Sequence, residues 1–279
     1  MNWNLNLIKQ KVKLIYIVYM KVQLGKEGTK LLISKSTRDL EMSKHLKFGE
    51  CGLCRKPHTM YCVGRPSSGK SHMLESLLKE QYNLGKRKGT CFDSIYVFCP
   101  KTSQNSYEDS FINHINPDHV FDELTYATLN EAYEGALDTK SWGEGKKGKE
   151  SQYFSLIVID DMATELRNKE VRKLLLKMLR NHRHTHLSMW IISQNYVSGL
   201  DKDCRDNIQQ LIQFETGSLI EKERLWAEWF SRFTKKDFEL IFDYVFDKKY
   251  NFIQCDRRND FKVCKNFQPL TIVAEKATL

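Results

Sequence analysis

No stretch of this chain is long and apolar enough to cross a bilayer. The nearest approach, LIYIVYM from Leu14 to Met20, is closed at both ends by Lys13 and Lys21, and a spanning helix needs about 20 apolar residues. No small-residue cleavage site follows it, so it does not read as a secretory leader either. Membrane insertion is not expected. The eight cysteines lack the even, loop-rich spacing of a disulfide scaffold; Cys62, Cys91, Cys99 and Cys255 sit inside apolar runs. Free, buried thiols in a soluble protein of a reducing compartment are the expectation. There is no internal repeat. Disorder is excluded by a composition of 41% hydrophobic and 28% charged residues, ordinary for a globular chain.

Acidic charge is outnumbered. The formal net charge of +9 favours a polyanionic partner, because clustered Lys and Arg attract phosphates. A length of 279 residues suits one large domain with or without appendages. Residues 1–56 form a basic, weakly patterned N-terminal extension in which Val12 to Leu24 reads as one strand or two. Met20 and Met42 stand as alternative starts. From residue 57 to 279 the pattern is regular. Short apolar runs (HTMYCVG, DSIYVFCP, YFSLIVIDD, LSMWIISQN, QQLIQFE) alternate with helical periodicities (SHMLESLLKEQYNL, NKEVRKLLLKMLRNHR). Helical EKERLWAEWFSRF and KKDFELIFDYVF then precede strand-like YNFIQCD and DFKVCKNF. That alternation predicts an α/β domain with a mainly parallel central sheet flanked by helices.

The most informative stretch is GRPSSGKS, Gly64 to Ser71, which fits G-x-x-x-x-G-K-[ST] at every fixed position. Glycines let the chain wrap closely, so that successive backbone N–H groups face a phosphate, and the helix that follows adds its positive end. The expected nucleotide contacts are Gly64, Ser67, Ser68, Gly69, Lys70, Ser71 and His72. Lys70 would reach the β- and γ-phosphates of ATP, and Ser71 would ligate Mg²⁺. A plain Gly/Ser turn is the bland alternative, and a strand before with a helix after argues against it.

Asp160 ends the buried run LIVID and so emerges at the carboxyl end of a strand, where ligands bind in open α/β sheets. It is the second expected Mg²⁺ ligand. Asp161 is suited to deprotonate an attacking water, and Gln194, at the end of the next buried run, to hydrogen-bond the γ-phosphate or that water.

The succession GRPSSGKSHML, LIVIDDM, RNHRHTHLSMWIISQN resembles the FtsK–HerA superfamily of P-loop ATPases (the ASCE, RecA-like class). Within it the resemblance is to the genome-packaging ATPases of poxviruses, other large DNA viruses and virophages. It covers roughly His58 to Glu215. Matching features are a strand (DSIYVFCP) between the two Walker strands, the one before the phosphate loop and the one that ends in Asp160, the paired acids Asp160-Asp161, and Arg183-His184 before the glutamine-tipped strand. The resemblance implies a homo-oligomeric ring, often a hexamer, that threads double-stranded DNA into a preformed capsid. It further implies capsid or portal-region partners and a place in the host cytoplasm or the virion. It makes Arg183 the candidate trans-acting finger, with Arg180 second, although a solvated basic loop is the alternative there. Two rivals are a nucleoside or nucleotide kinase and a nucleotide-dependent assembly switch. Asp161, Gln194 and the lack of an arginine-rich lid argue against the kinase.

Other groupings are weaker. Cys51, Cys54, His58 and Cys62 invite a zinc reading. His58 and Cys62 on one strand, however, stand ~13 Å apart along it, against metal bonds of ~2.0–2.3 Å. His182, His184 and His186 have no carboxylate or cysteine company. Trp226, Trp229 and Phe230 fall at helical spacing and read as core or interface. The basic loops Lys86-Arg87-Lys88 and Gly143 to Lys149, with Lys146, Lys147 and Lys149, suit sequence-independent contact with DNA phosphates; the second is expected to face duplex DNA.

Overall fold

The computed structural model describes residues 18–24, 57–78, 92–104, 111–144, 153–258 and 261–276. Cys51, Cys54, Cys91, Lys86, Arg87, Lys88, Lys146, Lys147 and Lys149 lie outside the described residues.

Ten strands form one sheet in the order β1-β10-β9-β8-β7-β2-β6-β5-β3-β4. Its heart is parallel: β2 (Thr59–Val63), β3 (Ser94–Phe98), β4 (Val120–Phe121), β5 (Ser155–Asp160), β6 (Leu187–Ser193) and β7 (Gln210–Phe214). Every position of β2, β5, β6 and β7 is buried, as a continuous apolar run requires when helices cover both faces.

Side chains alternate strictly between those faces. Tyr61, Val63, Ile157, Ile159, Met189 and Ile191 share one core with apolar residues of four helices. These are α2 (Tyr126–Glu144), α3 (Lys169–Asn181), α4 (Leu219–Trp229) and α5 (Lys235–Val245). Met60, Cys62, Leu156, Val158, Trp190 and Ile192 face the other way, onto Met73, Leu74, Leu77 and Leu78 of α1 (residues 70–78). The period of two thereby sets α1 on one face and α2 to α5 on the other.

Helix ends follow local chemistry. Asn168 caps α3 by accepting from the backbone of Glu170 and Val171, and Thr234 with Asp237 forms a capping box on α5, each satisfying otherwise orphaned N–H groups. The α3 core face is Val171, Leu174, Leu175, Met178 and Leu179, the expected helical spacing.

Three strands, β8 (Phe252–Asp256), β9 (Lys262–Lys265) and β10 (Gln268–Lys276), extend the sheet antiparallel from β7. β1 (Val18–Leu24) pairs with β10 across Val18↔Lys276 to Leu24↔Leu270, so this part of the N-terminal extension continues the same sheet. One expectation needs correcting. DSIYVFCP lies between the two Walker strands in sequence, but in space β3 flanks β5 on its outer side and β6 is the strand between β2 and β5. Sequence order carries no information on such non-local pairing.

Trp229 and Phe230 are core residues, with Trp226 half-buried against them. None of the helices among the described residues is long and apolar enough to cross a membrane.

Candidate nucleotide site at the carboxyl edge of the sheet

Because β2, β5 and β6 are parallel and in register, Val63 pairs with Ser193 and Asp160 with Ile192. Their carboxyl ends therefore open onto one edge. At that edge the Gly64 N–H donates to the Ser193 carbonyl (3.2 Å), and the chain leaves β2 through a tight loop. A Cβ on Gly64 would lie 2.6 Å from Ser68 Oγ and 2.7 Å from Phe214 Cβ, so close approach demands glycine here. Gly69 has φ +99°, a conformation open to glycine and costly for other residues. Met73 N then bonds to the Gly69 carbonyl (2.9 Å) and α1 begins.

Lys70 folds over this loop, its Nζ donating to the carbonyls of Gly64 (2.6 Å) and Arg65 (2.9 Å). Burial lowers its pKa, while the nearby Cys62, Asp160 and Asp161 act in the opposite direction. Ser71 is exposed in the first turn of α1 beside it, and Ser67 adopts φ +60°. Ser68 Oγ and His72 Nε2 are buried without a hydrogen-bond partner. Buried polar atoms ordinarily find one, so a loop that carries the Lys70 ammonium and a buried, unpartnered hydroxyl at Ser68 is chemically fitted to an anion.

Asp160, 5% exposed, closes β5. Asp161 turns out of the strand with φ +56°, a region that Asp tolerates better than most residues. Its N–H bonds to the Ile192 carbonyl (3.3 Å). Both carboxylate oxygens accept from Gln194 Nε2, at 2.9 and 3.1 Å. Asp161 and Gln194, read separately in the sequence, thus form one unit across two strand tips.

Behind Gln194 lies a buried network with no sequence signature. Tyr61 Oη contacts Ser193 Oγ (2.8 Å) and donates toward the carbonyls of Asn195 and Tyr196. Tyr196 donates to Glu228 (2.6 Å), which also takes a two-pronged pair of bonds from Arg205 (3.0 and 2.9 Å). Trp229 Nε1 donates to Tyr196 Oη (2.9 Å). The network ties α4 to the segment that leaves β6. Although burial opposes ionisation of Glu228, its bonds from Arg205 and Tyr196 hold its carboxyl below the usual range. Glu228→Ala would strand the buried Arg205 charge and is expected to cost about 3–5 kcal/mol. Urea unfolding measures it as a lower midpoint at unchanged slope.

Arg183 sits elsewhere. It is exposed in the turn between α3 and β6, where the N–H groups of His184 and Thr185 bond to the Asn181 carbonyl. That turn precedes β6, whereas Gln194 follows it, so the length of a seven-residue strand, ~20 Å, separates Arg183 from its own phosphate loop. Arg180, also exposed, lines a groove of about 850 Å³ on α3 with Tyr126, Lys173 and Lys177.

Among the described residues no three His, Cys, Asp or Glu side chains are grouped so as to hold an ion. His58 is buried; its Nε2 accepts from Trp190 Nε1 (2.9 Å), which leaves Nδ1 to donate to Ser188 Oγ (3.3 Å). His182 bonds to the Leu179 carbonyl and His186 to that of Tyr153. Cys62, Cys99, Cys204, Cys255 and Cys264 are free and buried, and burial drives the Cys99 and Cys204 thiols up to about 12.

A glycine-rich loop set between a parallel strand and a helix, one strand removed from a strand tipped by paired acids, is the architecture of P-loop NTPases. The sequence profile of the Poxvirus A32 protein family matches residues 45–225, more than half of the chain, and the chain belongs to that family. Solved structures agree on the fold. The chain is similar to B204, the DNA-packaging ATPase from Sulfolobus turreted icosahedral virus, with a TM-score of 0.54 at 17% identity over 80% of this chain and 100% of that one. It is also similar to the genome packaging NTPase B204 from Sulfolobus turreted icosahedral virus 2. In complex with ATP-gammaS that protein gives a TM-score of 0.50 at 15% identity, covering 80% and 98% of the two chains. In complex with AMPPCP it gives 0.50 at 16%, covering 81% and 99%. None of the curated proteins matches the sequence.

Proposed function

We propose that the protein is an ATP-hydrolysing motor that moves double-stranded DNA and packages a viral genome into a preformed capsid. The observation that carries this reading is the Asp161–Gln194 pair standing at the same sheet edge as the Lys70 loop. A carboxylate held by an amide beside a phosphate cradle is equipped to take a proton from water, which favours hydrolysis over transfer to a small acceptor. The family membership and the packaging ATPases of like fold support it.

In this reading the loop from Gly64 to His72 holds the polyphosphate. Lys70 turns its ammonium from the Gly64 and Arg65 carbonyls to phosphate oxygens. Ser71 and Asp160 would hold Mg²⁺, which neutralises phosphate charge when bound. Asp161 accepts the proton of the attacking water and Gln194 fixes the carboxylate. Arg183, on the far edge of its own sheet, acts on the nucleotide of a neighbouring copy, which makes an oligomeric ring, hexameric in this reading, part of the chemistry. Lys146, Lys147 and Lys149 contact duplex DNA; capsid or portal-region proteins are further partners, in the host cytoplasm or virion.

Phosphate release with and without long duplex DNA, together with particle size in ATP, tests the reading. Release without any small acceptor, stimulated by DNA in a multi-subunit particle, is expected. Dependence on a small acceptor would mark a kinase, and DNA-independent turnover below about one per minute, against the ~1–10³ s⁻¹ usual for enzymes, an assembly switch.

Arg183→Ala should bind ATP normally and turn over about 10³-fold or more slowly. Mixed with Asp161→Asn subunits it should regain activity, since some interfaces then join an intact base to an intact finger. No recovery in rings shown to be mixed would remove Arg183 from that role and bring Arg180 forward.

A further inference from the structure

A cavity of about 300 Å³ opens on the side of the phosphate loop away from Asp161 and Gln194, lined by Gly69, His72, Phe214, Tyr250, Phe252 and Asn266 among others. Its size falls at the low end for small-molecule sites. Its walls are mostly apolar, with Met73 beside the rings of Phe214, Tyr250 and Phe252, and it shares Gly69 with the loop: a Cβ there would stand 3.5 Å from the Tyr250 ring and 3.7 Å from that of Phe214. The cavity and the phosphate loop are thus adjoining, with Gly69 as their common wall.

Two further features bear on Tyr250. Like the buried Phe267 (φ +65°), it is a bulky residue in the left-handed region, at φ +68°, a costly conformation that clusters at active sites, ligand clamps and switch regions. It is also half-exposed, with Lys249 Nζ 4.7 Å from the ring centroid. Asn266 is held by its own network, accepting from Phe252 N (2.9 Å) and donating to Asn251 Oδ1 (2.6 Å), which fixes this wall. His72 contributes the polar group without a partner, its buried Nε2.

Resting on the nucleotide reading above, we infer that this cavity is a purine-base subsite in which Tyr250 is the stacking platform. A mainly apolar lining that offers the rings of Phe214, Tyr250 and Phe252 favours a π-face over a hydrogen-bonding edge. The larger purine face gains more from it than a pyrimidine, so ATP and GTP should both bind more tightly than CTP. Tyr250, Phe252 and Asn266 lie beyond residue 225, where the family match ends. The antiparallel β8–β10 extension of this chain would thus complete the subsite, and base selectivity would reside in it.

The test compares binding of ATP, CTP and inorganic tripolyphosphate by calorimetry, using the full chain. Tyr250→Ala should weaken ATP about tenfold, erase the preference for ATP over CTP, and leave tripolyphosphate unchanged. Tyr250→Phe, which keeps the ring, should bind ATP as the wild type does. Unaltered ATP affinity in Tyr250→Ala would overturn the inference. So would equal losses of ATP and tripolyphosphate, which would mean that the loop itself had been damaged. A wild-type protein that binds neither ATP nor tripolyphosphate would instead sink the nucleotide reading, and this inference with it.

Discussion

Lys70→Ala is expected to abolish hydrolysis, with turnover falling far below a tenth of wild type. A tenth corresponds to only ~1.4 kcal/mol of barrier, less than a direct charge on the transferring phosphoryl group supplies. The ammonium now bridges the Gly64 and Arg65 carbonyls, and burial already lowers its pKa. A charge kept there at a desolvation cost is placed for an anion rather than for the fold. Losing it should therefore leave unfolding by urea nearly unchanged while ATP binding and turnover collapse. Lys70→Met, which keeps the aliphatic stem, should behave as Lys70→Ala does. Either variant retaining more than about a tenth of wild-type turnover would remove the phosphate-loop role from Lys70.

What could be read in advance was whatever is written contiguously. The loop from Gly64 to Ser71 carries its geometry in adjacent residues. The β5 and β6 runs announce burial on both faces, because parallel strands under two helical layers have no solvent face on which to alternate. The α3 stripe repeats every three to four residues. What escaped is non-local. Which strand neighbours β5 depends on pairings that no local pattern encodes: β3 lies between the Walker strands in order but not in space. Asp161 and Gln194 are 33 residues apart, and Arg205 and Glu228 are 23 apart; each residue alone is an ordinary polar side chain. Tyr250 belongs to the same class. Its interest lies in a backbone angle and in its nearness to Gly69, and neither leaves a mark on the sequence.

The paired acids give the second large effect, and they should separate. Asp161→Asn is expected to bind MgATP close to wild type and to hydrolyse it ~10²–10⁴-fold more slowly, the range that a positioned general base contributes. The substitution is nearly isosteric, and Asn adopts the φ +56° conformation at this position as readily as Asp. Gln194 can still donate to the remaining oxygen, so the strand tips stay together and the change isolates charge. Asp160 differs in every respect that matters. It is buried at the last position of β5, where its charge would face a cation rather than a water. Asp160→Asn should therefore weaken nucleotide binding in the presence of Mg²⁺ and leave Mg²⁺-free binding little altered. MgATP affinity measured beside single-turnover hydrolysis resolves the two phenotypes. Normal single-turnover hydrolysis by Asp161→Asn would move the base elsewhere, with Gln194 then left to orient water unaided. Equal loss of MgATP binding in both variants would instead make the two carboxylates a joint metal site, and the proton acceptor would have to be sought outside them.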